Sequence, residues 1–436
     1  MATIDANPPS GTRDFLPAEV ARREHAFATI REAFRRHGFA PLDTPAFERL
    51  EVLTGKYGEE GDQLIFKILR RGEHEATGDA DLALRYDLTV PLARVVARYG
   101  SQLPTPFKRY QIAPVWRADR PGKGRFREFL QCDVDTVGSD SLLADASTIV
   151  AVADTLDALG LSGFRVQLNS RRALAGLVEA YRLPDAAETD VLTALDKLDK
   201  VGTDGVAAEL RERGIAGTVV DTIAADLAAD DRDATFRTRL ESTERGRAGL
   251  AEVDRVRELA GDLPGGDLVY APVLARGLSY YTGPVFEVVH DELAVTIAAG
   301  GRYDGLIGMF QSQPVPATGG SLGIERILLL LEQQDAVAPA ALDVVVTVLD
   351  DADAPDAVQL AQRLRGHGFA TDLDVAGGKL GKQLKRADKR GARVAVIRGE
   401  AEREAASVAV KDLASGDQVT VGLDDLPAHL QTLLRG

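Results

Sequence analysis

Apolar residues at helical intervals near the start of the chain predict an amphipathic helix. It is predicted to run from Pro17 to His37 and to end at Gly38, and its spaced apolar side chains are Val20, Phe27, Ile30 and Phe34. The next stretch, GFAPLDTPAFERLEVL, is typical of extended chain interrupted by prolines, followed by another helical turn. Between positions 82 and 137 the pattern indicates strands, with one helix near 89–99.

Period-two alternation is clearest in RADRPGKGRFREFLQCDVD, from Arg117 to Asp135, which predicts the long loop and second strand of a hairpin. One predicted face is apolar and consists of Phe126, Leu130, Cys132 and Val134. The opposite face consists of Arg125, Arg127, Phe129, Gln131, Asp133 and Asp135. Guanidinium groups, an aromatic ring and carboxylates follow one another along this second face. Such an order suits a ligand with an anionic centre, a flat ring and a cationic end.

The residue pattern changes again in the second half of the chain. From about Arg171 to Leu263 helical spacing predicts a helical domain inserted into a strand-rich one, and strand patterns resume at LVYAPVLARGLSYYTGPVFEVVH. A Gly-rich turn at Gly319 is predicted to lead into a helix that ends near Gln334, and DAVAPAA is typical of a linker. The remainder alternates strands and helices, which predicts an α/β domain with a mostly parallel sheet. The predicted boundaries are 1–170 and 264–334 for the catalytic core, 171–263 for the helical insertion, 335–342 for the linker and 343–436 for the C-terminal domain.

Composition restricts the class of protein. The chain has 436 residues, 45% of them hydrophobic and 27% charged, with a formal net charge of -15. These values are typical of a soluble globular protein with two or three domains. The single cysteine, Cys132, suits a reducing cytoplasm, and we expect no targeting segment and no membrane span. A pI near 5.0 argues against indiscriminate nucleic-acid binding, although local basic patches can still bind phosphates.

Common catalytic signatures are absent from the sequence. It has no P-loop, no G-x-G-x-x-G after a strand and no Cys or His cluster spaced for zinc, so no metal site made by protein side chains is predicted. Three polar segments remain: LRYDLTVP, the arginine hairpin and ARGLSYYTGPVFE. Each also has a structural interpretation. These are a helix cap made by Asp87 or Thr89, a salt-bridged loop, and a pair of core tyrosines.

Taken together, these segments resemble one family. RGLSYYTGPVFE is similar to the signature of histidyl-tRNA synthetases, and VWRADRPGKGRFREFLQCDVD is similar to the motif 2 hairpin of class II aminoacyl-tRNA synthetases. AAGGRYDGLIGMF with GGSLGIERIL resembles motif 3, and GFAPLDTPAFE resembles motif 1. PSGTRDFLP and GGKLGKQLKRADKRGARVAVIRGE also match, so the resemblance covers nearly the whole chain. RYDLTVP and LDKLDK are similar to the eukaryote- and archaeon-like branch of the family.

The resemblance implies a fold and an activity. The fold would be an α+β catalytic core built on an antiparallel sheet, with a helical insertion and a C-terminal α/β anticodon-binding domain. The activity would be histidine–tRNA ligation. Histidine and ATP, with Mg²⁺, would form histidyl-adenylate and pyrophosphate, and histidine would then pass to the 3′ end of its tRNA. Motif 1 implies a homodimer, and the implied location is the cytoplasm.

The resemblance also implies roles for individual residues. Arg117 and Arg276 would act at the α-phosphate as the catalytic pair. ATP would be bound by Arg117, Arg125, Arg127, Phe129 and Arg326. Histidine would be bound by Asp87, Thr89, Gln131, Asp135, Tyr280, Tyr281 and Tyr303. The tRNA would contact Lys382, Lys385, Arg386 and Lys389. Two positions depart from the family pattern, where Ser279 replaces the usual Asp and Ser147 replaces a frequent Glu.

Alternative interpretations remain open from the sequence. The regulatory subunit of ATP phosphoribosyltransferase derives from the same core but lacks the C-terminal domain and has usually lost the activating arginines. A class II synthetase for proline or threonine would share the C-terminal domain but not RGLSYYTG. The basic stretch from Lys379 to Arg398, with eight basic residues and only Asp388 acidic, is also typical of a solvated amphipathic helix face.

Overall fold

The computed structural model describes residues 4–55, 58–72, 77–122, 124–275, 280–290, 295–333 and 342–435. Within these ranges the chain forms two compact units. The first contains residues 4–14 and 26–333, and the second contains residues 15–25 and 342–435.

The elements of the chain follow in sequence order. The helices are α1 (Pro17–Arg36), α2 (Leu50–Leu53), α3 (Gly58–Gln63), α4 (Thr89–Tyr99), α5 (Leu142–Ala158), α6 (Arg171–Ala180), α7 (Glu188–Leu195), α8 (Leu198–Glu212), α9 (Gly217–Leu227), α10 (Arg232–Glu241), α11 (Glu244–Ala260), α12 (Ile324–Gln333), α13 (Ala354–Gly366), α14 (Leu380–Lys389), α15 (Glu400–Glu404) and α16 (Leu426–Arg435). The strands are β1 (Ala40–Pro41), β2 (Phe47–Arg49), β3 (Lys67–Leu69), β4 (Ala80–Leu84), β5 (Phe107–Trp116), β6 (Glu128–Val137), β7 (Phe164–Ser170), β8 (Gly266–Tyr270), β9 (Pro284–His290), β10 (Val295–Arg302), β11 (Ala317–Leu322), β12 (Leu342–Val346), β13 (Thr371–Leu373), β14 (Ala392–Ile397), β15 (Ser407–Asp412) and β16 (Gln418–Gly422).

An eight-stranded sheet is the centre of the first unit. Its strand order is β1-β5-β6-β11-β10-β9-β7-β8, and the six inner strands pair antiparallel, while β1 and β8 join the two edges in parallel. A smaller sheet of order β2-β4-β3 lies between β1 and β5 in the chain. The predicted antiparallel catalytic core is therefore confirmed.

One face of the sheet is covered by helices because its side chains are apolar. Cys132 and Val134 on β6 are fully buried there, together with Ile30 and Phe34 of α1 and Ile149 of α5. Apolar residues of α6 to α11 belong to the same buried cluster. These helices occupy the segment between the neighbouring strands β7 and β8, where helical spacing predicted them. The opposite face of β6 is left for polar side chains.

Two expectations for the first unit were wrong. Gly319 and Gly320 do not form a turn but lie within β11, between β6 and β10. These strand positions are occupied by glycine because a larger side chain would not fit there. A Cβ on Gly319 would lie 1.9 Å from Asp135 Oδ1. Phe126 does not lie on the apolar strand face, because β6 begins only at Glu128 and Phe126 belongs to the loop before it.

The second unit has a mixed five-stranded sheet. Its order is β13-β12-β14-β15-β16, with β12 parallel to both β13 and β14. The last three strands pair antiparallel, because β15 and β16 form a hairpin that the residue pattern did not predict. The prediction of a mostly parallel sheet was therefore wrong for half of its pairings, although the α/β character is confirmed. Among the described residues, none of the helices has the length and hydropathy that a membrane-spanning helix requires.

Candidate active site

A buried ion pair lies at the inner end of the polar face of β6. Arg109 on β5 pairs in register with Asp135, and its Nη2 atom lies 2.8 Å from Asp135 Oδ2, at an angle that does not make a hydrogen bond. Arg109 has no exposed surface and Asp135 is 2% exposed. The hydroxyl of Tyr303 donates a short hydrogen bond to Asp135 Oδ1. Burial raises the pKa of Asp135, while Arg109 and Tyr303 oppose this rise.

Asp133 and Gln131 continue the polar face outward along β6. Asp133 is 2% exposed and stands opposite Gln111 on β5 and Ser321 on β11. Gln131 donates from Nε2 to Ser321 Oγ at 3.2 Å. Within the described part of the chain, Gln131 Oε1, Asp133 Oδ1 and Asp135 Oδ2 are buried acceptor atoms without a hydrogen-bond donor. Buried acceptors left unpaired are costly, so this row is suited to a ligand that brings donors.

Asp133 is a titratable group at neutral pH. Burial, together with the charges of Asp135 and Asp87, raises its pKa to about 7, against the lowering effects of Arg109 and of a hydrogen bond with Ser321. Among the described residues, Asp133 and Asp135 therefore share one buried environment with the guanidinium of Arg109. A cationic group entering beside them would favour the ionised form of Asp133.

Three tyrosines close the inner end of the site. The rings of Tyr280 and Tyr281 meet edge to face at 5.2 Å, and those of Tyr280 and Tyr303 at 6.0 Å. All three pack against one apolar cluster, in which Tyr303 is buried. Burial, with Asp135 next in importance, raises the pKa of Tyr303 far above its ordinary value. Its hydroxyl therefore stays protonated and can keep donating to Asp135.

Asp87 and Thr89 lie where β4 leads into α4. Asp87 is 5% exposed, and its Oδ1 accepts a hydrogen bond from Val90 N at 3.0 Å, so the predicted capping role is confirmed for Asp87. Thr89 is the first residue of α4 and is half-buried. Like-charge repulsion from Asp87 also raises the pKa of Asp133.

An aromatic and cationic group occupies the outer end of the same face. Phe129 packs on Leu88, Ala113 and Val115. The Arg117 guanidinium lies 5.2 Å from the centre of the Phe129 ring and 4.3 Å from that of Tyr86. Arg117 Nε also donates to Tyr86 O at 3.1 Å. A half-buried edge of cationic and aromatic side chains therefore follows the row of carboxylates, as the sequence predicted.

The other predicted ATP-binding residues lie at or beyond the hairpin loop. Arg125 pairs with Asp119 at 2.8 Å and is largely exposed. Arg127 is half-buried and donates from Nε to Asp119 O at 3.0 Å. Arg326 lies in the first turn of α12, where its Nη1 donates to Thr296 O at 2.6 Å. Arg276 and Ser279 lie outside the described residues.

The same face continues across the sheet to a cavity. Asp133, Ser321 and Glu287 lie in register across β6, β11 and β9, with Ala299 of β10 between the last two. Beyond Glu287 the face leads to a cavity of about 470 Å³. The lining of this cavity includes Gln167, Glu287 and Tyr270 of the sheet and Asp196, Asp199 and Arg232 of the helical segment. In the parts of the chain that are described, no group of three His, Cys, Asp or Glu side chains is arranged to hold a metal ion.

The predicted tRNA-binding residues lie on α14 of the second unit. Lys382, Lys385 and Lys389 are exposed along one side of this helix. Arg386 differs from them because it forms a two-point ion pair with Asp374, from Nε at 2.9 Å and from Nη2 at 2.6 Å, and also donates to Gly377 O. Arg386 thus connects α14 to the segment after β13.

Sequence reasoning missed Arg109, Ser321 and the inclusion of Asp133 among the binding residues. Arg109 stands in FKRYQIAPVW, an alternating strand in which one arginine on the buried face was the available signal. Period-two alternation places Asp133 on the polar face of the strand. The sequence does not show that Asp133 is buried, because its burial depends on neighbouring strands that are distant in sequence.

Comparisons with known proteins agree with this geometry. The family model of histidyl-tRNA synthetase matches residues 11–327, and the model of anticodon-binding domains matches residues 343–433. The histidine–tRNA ligase of Christiangramia forsetii is 40% identical over 97% of this chain and 98% of its own length. That of Aeropyrum pernix is 40% identical over the full length of both chains.

A solved structure extends the likeness to three dimensions. The crystal structure of histidyl-tRNA synthetase from a Nostoc species superposes with a TM-score of 0.84 at 32% identity, covering 99% of this chain and 100% of that one. The full-length matches and the anticodon-binding domain favour a ligase over a regulatory subunit of ATP phosphoribosyltransferase. The chain belongs to the histidyl-tRNA synthetase family of class II aminoacyl-tRNA synthetases.

Proposed function

We propose that the polar face of β6 is the surface on which this synthetase binds its histidine and ATP side by side. The observation that carries the proposal is the row of buried oxygen atoms, one each on Gln131, Asp133 and Asp135, that accept no hydrogen bond within the described residues. Histidine has donors at both ends, an α-ammonium and an imidazole N–H. The row offers acceptors at both ends, and a buried acceptor discriminates strongly against ligands that lack the matching donor.

The imidazole is assigned to the inner end of the row. Asp135 is held by Arg109 and Tyr303, so its carboxylate is oriented before the ligand enters. Tyr280 and Tyr281 supply the flat aromatic walls that suit a planar ring. The α-ammonium is assigned to Gln131, Asp87 and Thr89, with Asp133 adding negative charge beside it. An ammonium group is strongly favoured where carboxylates outnumber buried cations.

Adenylate formation is assigned to the outer end of the row. The histidine carboxylate attacks the α-phosphorus of ATP in line, pyrophosphate leaves, and negative charge develops on the phosphoryl oxygens. The reaction calls for positioned cations rather than a protein nucleophile. Arg117 and Arg276 are assigned to the α-phosphate, Phe129 to the adenine ring, and Arg125, Arg127 and Arg326 to the rest of the nucleotide. Guanidinium groups suit this task because they bind phosphate oxygens at two points.

The ATP-dependent reaction of this family generally uses a divalent metal. We assign Mg²⁺, which binds mainly to substrate phosphates and therefore enters with ATP. It offsets phosphate charge when bound. The side chains named above bind and orient the two substrates.

The remaining assignments concern the whole chain. Residues 1–170 and 264–334 are proposed as the catalytic core, 171–263 as an inserted domain, 335–342 as a linker and 343–436 as the domain that binds the anticodon arm of the tRNA. The segment that resembles motif 1 supports a homodimer, and two-fold symmetry is also the commonest symmetry of protein oligomers. Light scattering that shows an active monomer at micromolar concentration would contradict the homodimer. The single cysteine of the chain, Cys132, is buried, which is compatible with the cytoplasm.

A pair of variants tests the division of the site. Tyr303→Phe removes the hydroxyl that orients Asp135, and Phe129→Leu removes the adenine-stacking ring. In ATP–pyrophosphate exchange, Tyr303→Phe should raise KM for histidine on the order of tenfold, because one buried hydrogen bond is worth about 1 kcal/mol or more, and leave KM for ATP unchanged. Phe129→Leu should do the reverse. Equal effects on both constants in both variants would contradict the proposed arrangement.

A further inference from the structure

The segment PSGTR near the amino terminus, residues 9–13, contacts both the hairpin loop before β6 and the first turn of α12, and we call it the N-terminal strap. Its turn is closed by hydrogen bonds from Thr12 N and Oγ1 to Pro9 O, at 3.0 and 2.7 Å. Gly11 has a φ of +85°, a conformation that L side chains rarely adopt. The strap is therefore a defined turn rather than a loose terminus.

The strap holds the hairpin loop that carries the predicted nucleotide-binding arginines. Arg127 N donates to Gly11 O at 2.7 Å, and Arg127 Nη1 reaches Ser10 O at 3.4 Å. The fit is close, since a Cβ on Gly11 would lie 2.8 Å from Arg127 Cγ and 3.0 Å from Pro121 Cγ. The backbone and side chain of Arg127 are thus both fixed by the strap.

Arg13 extends the same contact to a second element. Its guanidinium lies 3.7 Å above the ring of Phe126 in the hairpin loop, and its Nη2 forms a close ion pair with Glu325 in the first turn of α12. Glu325 precedes Arg326, and its side chain is only 11% exposed in this pair. One side chain therefore connects the hairpin loop to the helix that carries Arg326.

We propose that Arg13 is a positioning residue for ATP, acting through the strap to hold Arg127 and Arg326 on opposite sides of the nucleotide. The proposal rests on the ATP site proposed above. A hairpin loop with charged side chains samples many arrangements when free, and ordering it on binding reduces affinity. Bridging the loop to α12 before ATP enters removes part of that cost. The histidine site gains nothing from the bridge, because Asp135 is held by Arg109 and Tyr303 instead.

Steady-state ATP–pyrophosphate exchange with Arg13→Ala tests the proposal. KM for ATP should rise on the order of tenfold, as expected for restoring the ordering cost of a few side chains, while KM for histidine and the melting temperature stay close to wild type. Arg211→Ala is the control, because it removes an ion pair outside the strap, the more exposed pair with Asp221 in the helical segment, and should change neither constant.

Further variants keep the test decisive. In the reversed pair, Arg13→Glu with Glu325→Arg, KM for ATP should be lower than in either single variant. A double variant whose KM for ATP is as high as in the single variants would overturn the bridging role. An unchanged KM for ATP in Arg13→Ala, or a parallel rise in both KM values with a lower melting temperature, would also overturn the proposal. Phe129→Leu and Arg326→Ala separate the two claims. If both leave KM for ATP unchanged, the ATP site is misplaced; if both raise it and Arg13→Ala does not, the strap has no positioning role.

Discussion

At the scale of single residues, the protein keeps two carboxyl groups, Asp133 and Asp135, buried beside one buried arginine. Asp135 has two fixed partners, Arg109 and Tyr303, whereas Asp133 has an oxygen without any donor among the described residues. Burying a carboxylate without full compensation destabilises the folded chain. A cationic ligand would supply the missing compensation for these carboxylates. Without the ligand, the folded protein is less stable than a similar sequence without this site could be.

This arrangement makes the stability of the empty protein depend on pH through Asp133. Because burial raises its pKa to about 7, the folded protein retains a proton that the unfolded chain releases near pH 4. The contribution to stability is thus fully present below about pH 4 and is lost as pH rises through about 7, by on the order of 4 kcal/mol at most. Asp133→Asn should therefore raise the melting temperature relative to wild type more at pH 8 than at pH 5.

Thermal melts of the ligand-free protein at both pH values measure this difference. Asp221→Asn serves as the control, since the Asp221 side chain is 71% exposed in its pair with Arg211, and its effect should be equal at the two pH values. If Asp133→Asn changes the melting temperature by the same amount at pH 5 and at pH 8, Asp133 does not titrate in this range.

At the scale of elements, the sheet makes room for the site by using glycine where strands carry functional side chains. Gly319 on β11 lies opposite Asp135 on β6, and Gly300 on β10 lies opposite Gly320. A Cβ on Gly300 would come within 2.1 Å of Gly319 O. The glycines of the segments that resemble motif 3 therefore let β6, β11 and β10 approach one another while Asp135 stays in place.

Gly319→Ala should accordingly disturb both packing and histidine binding. The new methyl group would lie only 1.9 Å from Asp135 Oδ1, so Asp135 or β11 must shift. We expect this shift to lower the free energy of unfolding by about 1–3 kcal/mol. We expect a lower melting temperature and a higher KM for histidine. Gly305→Ala is the matched control, because its Cβ would meet no atom within 4 Å and should change neither. A normal KM for histidine in Gly319→Ala would show that Asp135 need not be fixed at this point.

Helix α14 makes a separate prediction about tRNA. Lys382, Lys385 and Lys389 are exposed, and their replacement by Ala should weaken tRNA binding and lower its salt dependence by roughly one unit for each phosphate that is no longer neutralised. Exchange activity without tRNA should remain at the wild-type level. Arg386→Ala should instead lower the melting temperature, since Arg386 is the cation that pairs with the buried Asp374. Unchanged tRNA affinity in the lysine variant would mean that this face of α14 is only solvated.

At the scale of the whole molecule, the sequence predicted best what local patterns determine. The bounds of α4 and the alternation from Phe129 to Asp135 on β6 follow from local residue patterns, and both are confirmed, whereas Arg125 and Arg127 precede β6 and do not lie on its polar face. The strand at Gly319 was missed because glycine favours turns locally, whereas here it is required by contact with Asp135. The β15–β16 hairpin and the Arg109–Asp135 pair depend on strand pairing, which residue spacing alone does not specify.

The most direct test of the proposed site is ATP–pyrophosphate exchange with a panel of the twenty amino acids, run on the wild-type protein with MgATP. The site proposed on β6 demands donors at both ends of the ligand, so exchange should depend on histidine and stay near background with proline, threonine and apolar amino acids. Exchange stimulated equally by an amino acid without a side-chain N–H donor, or no stimulation by histidine, would contradict the assignment of Asp135 and the row of acceptors beside it.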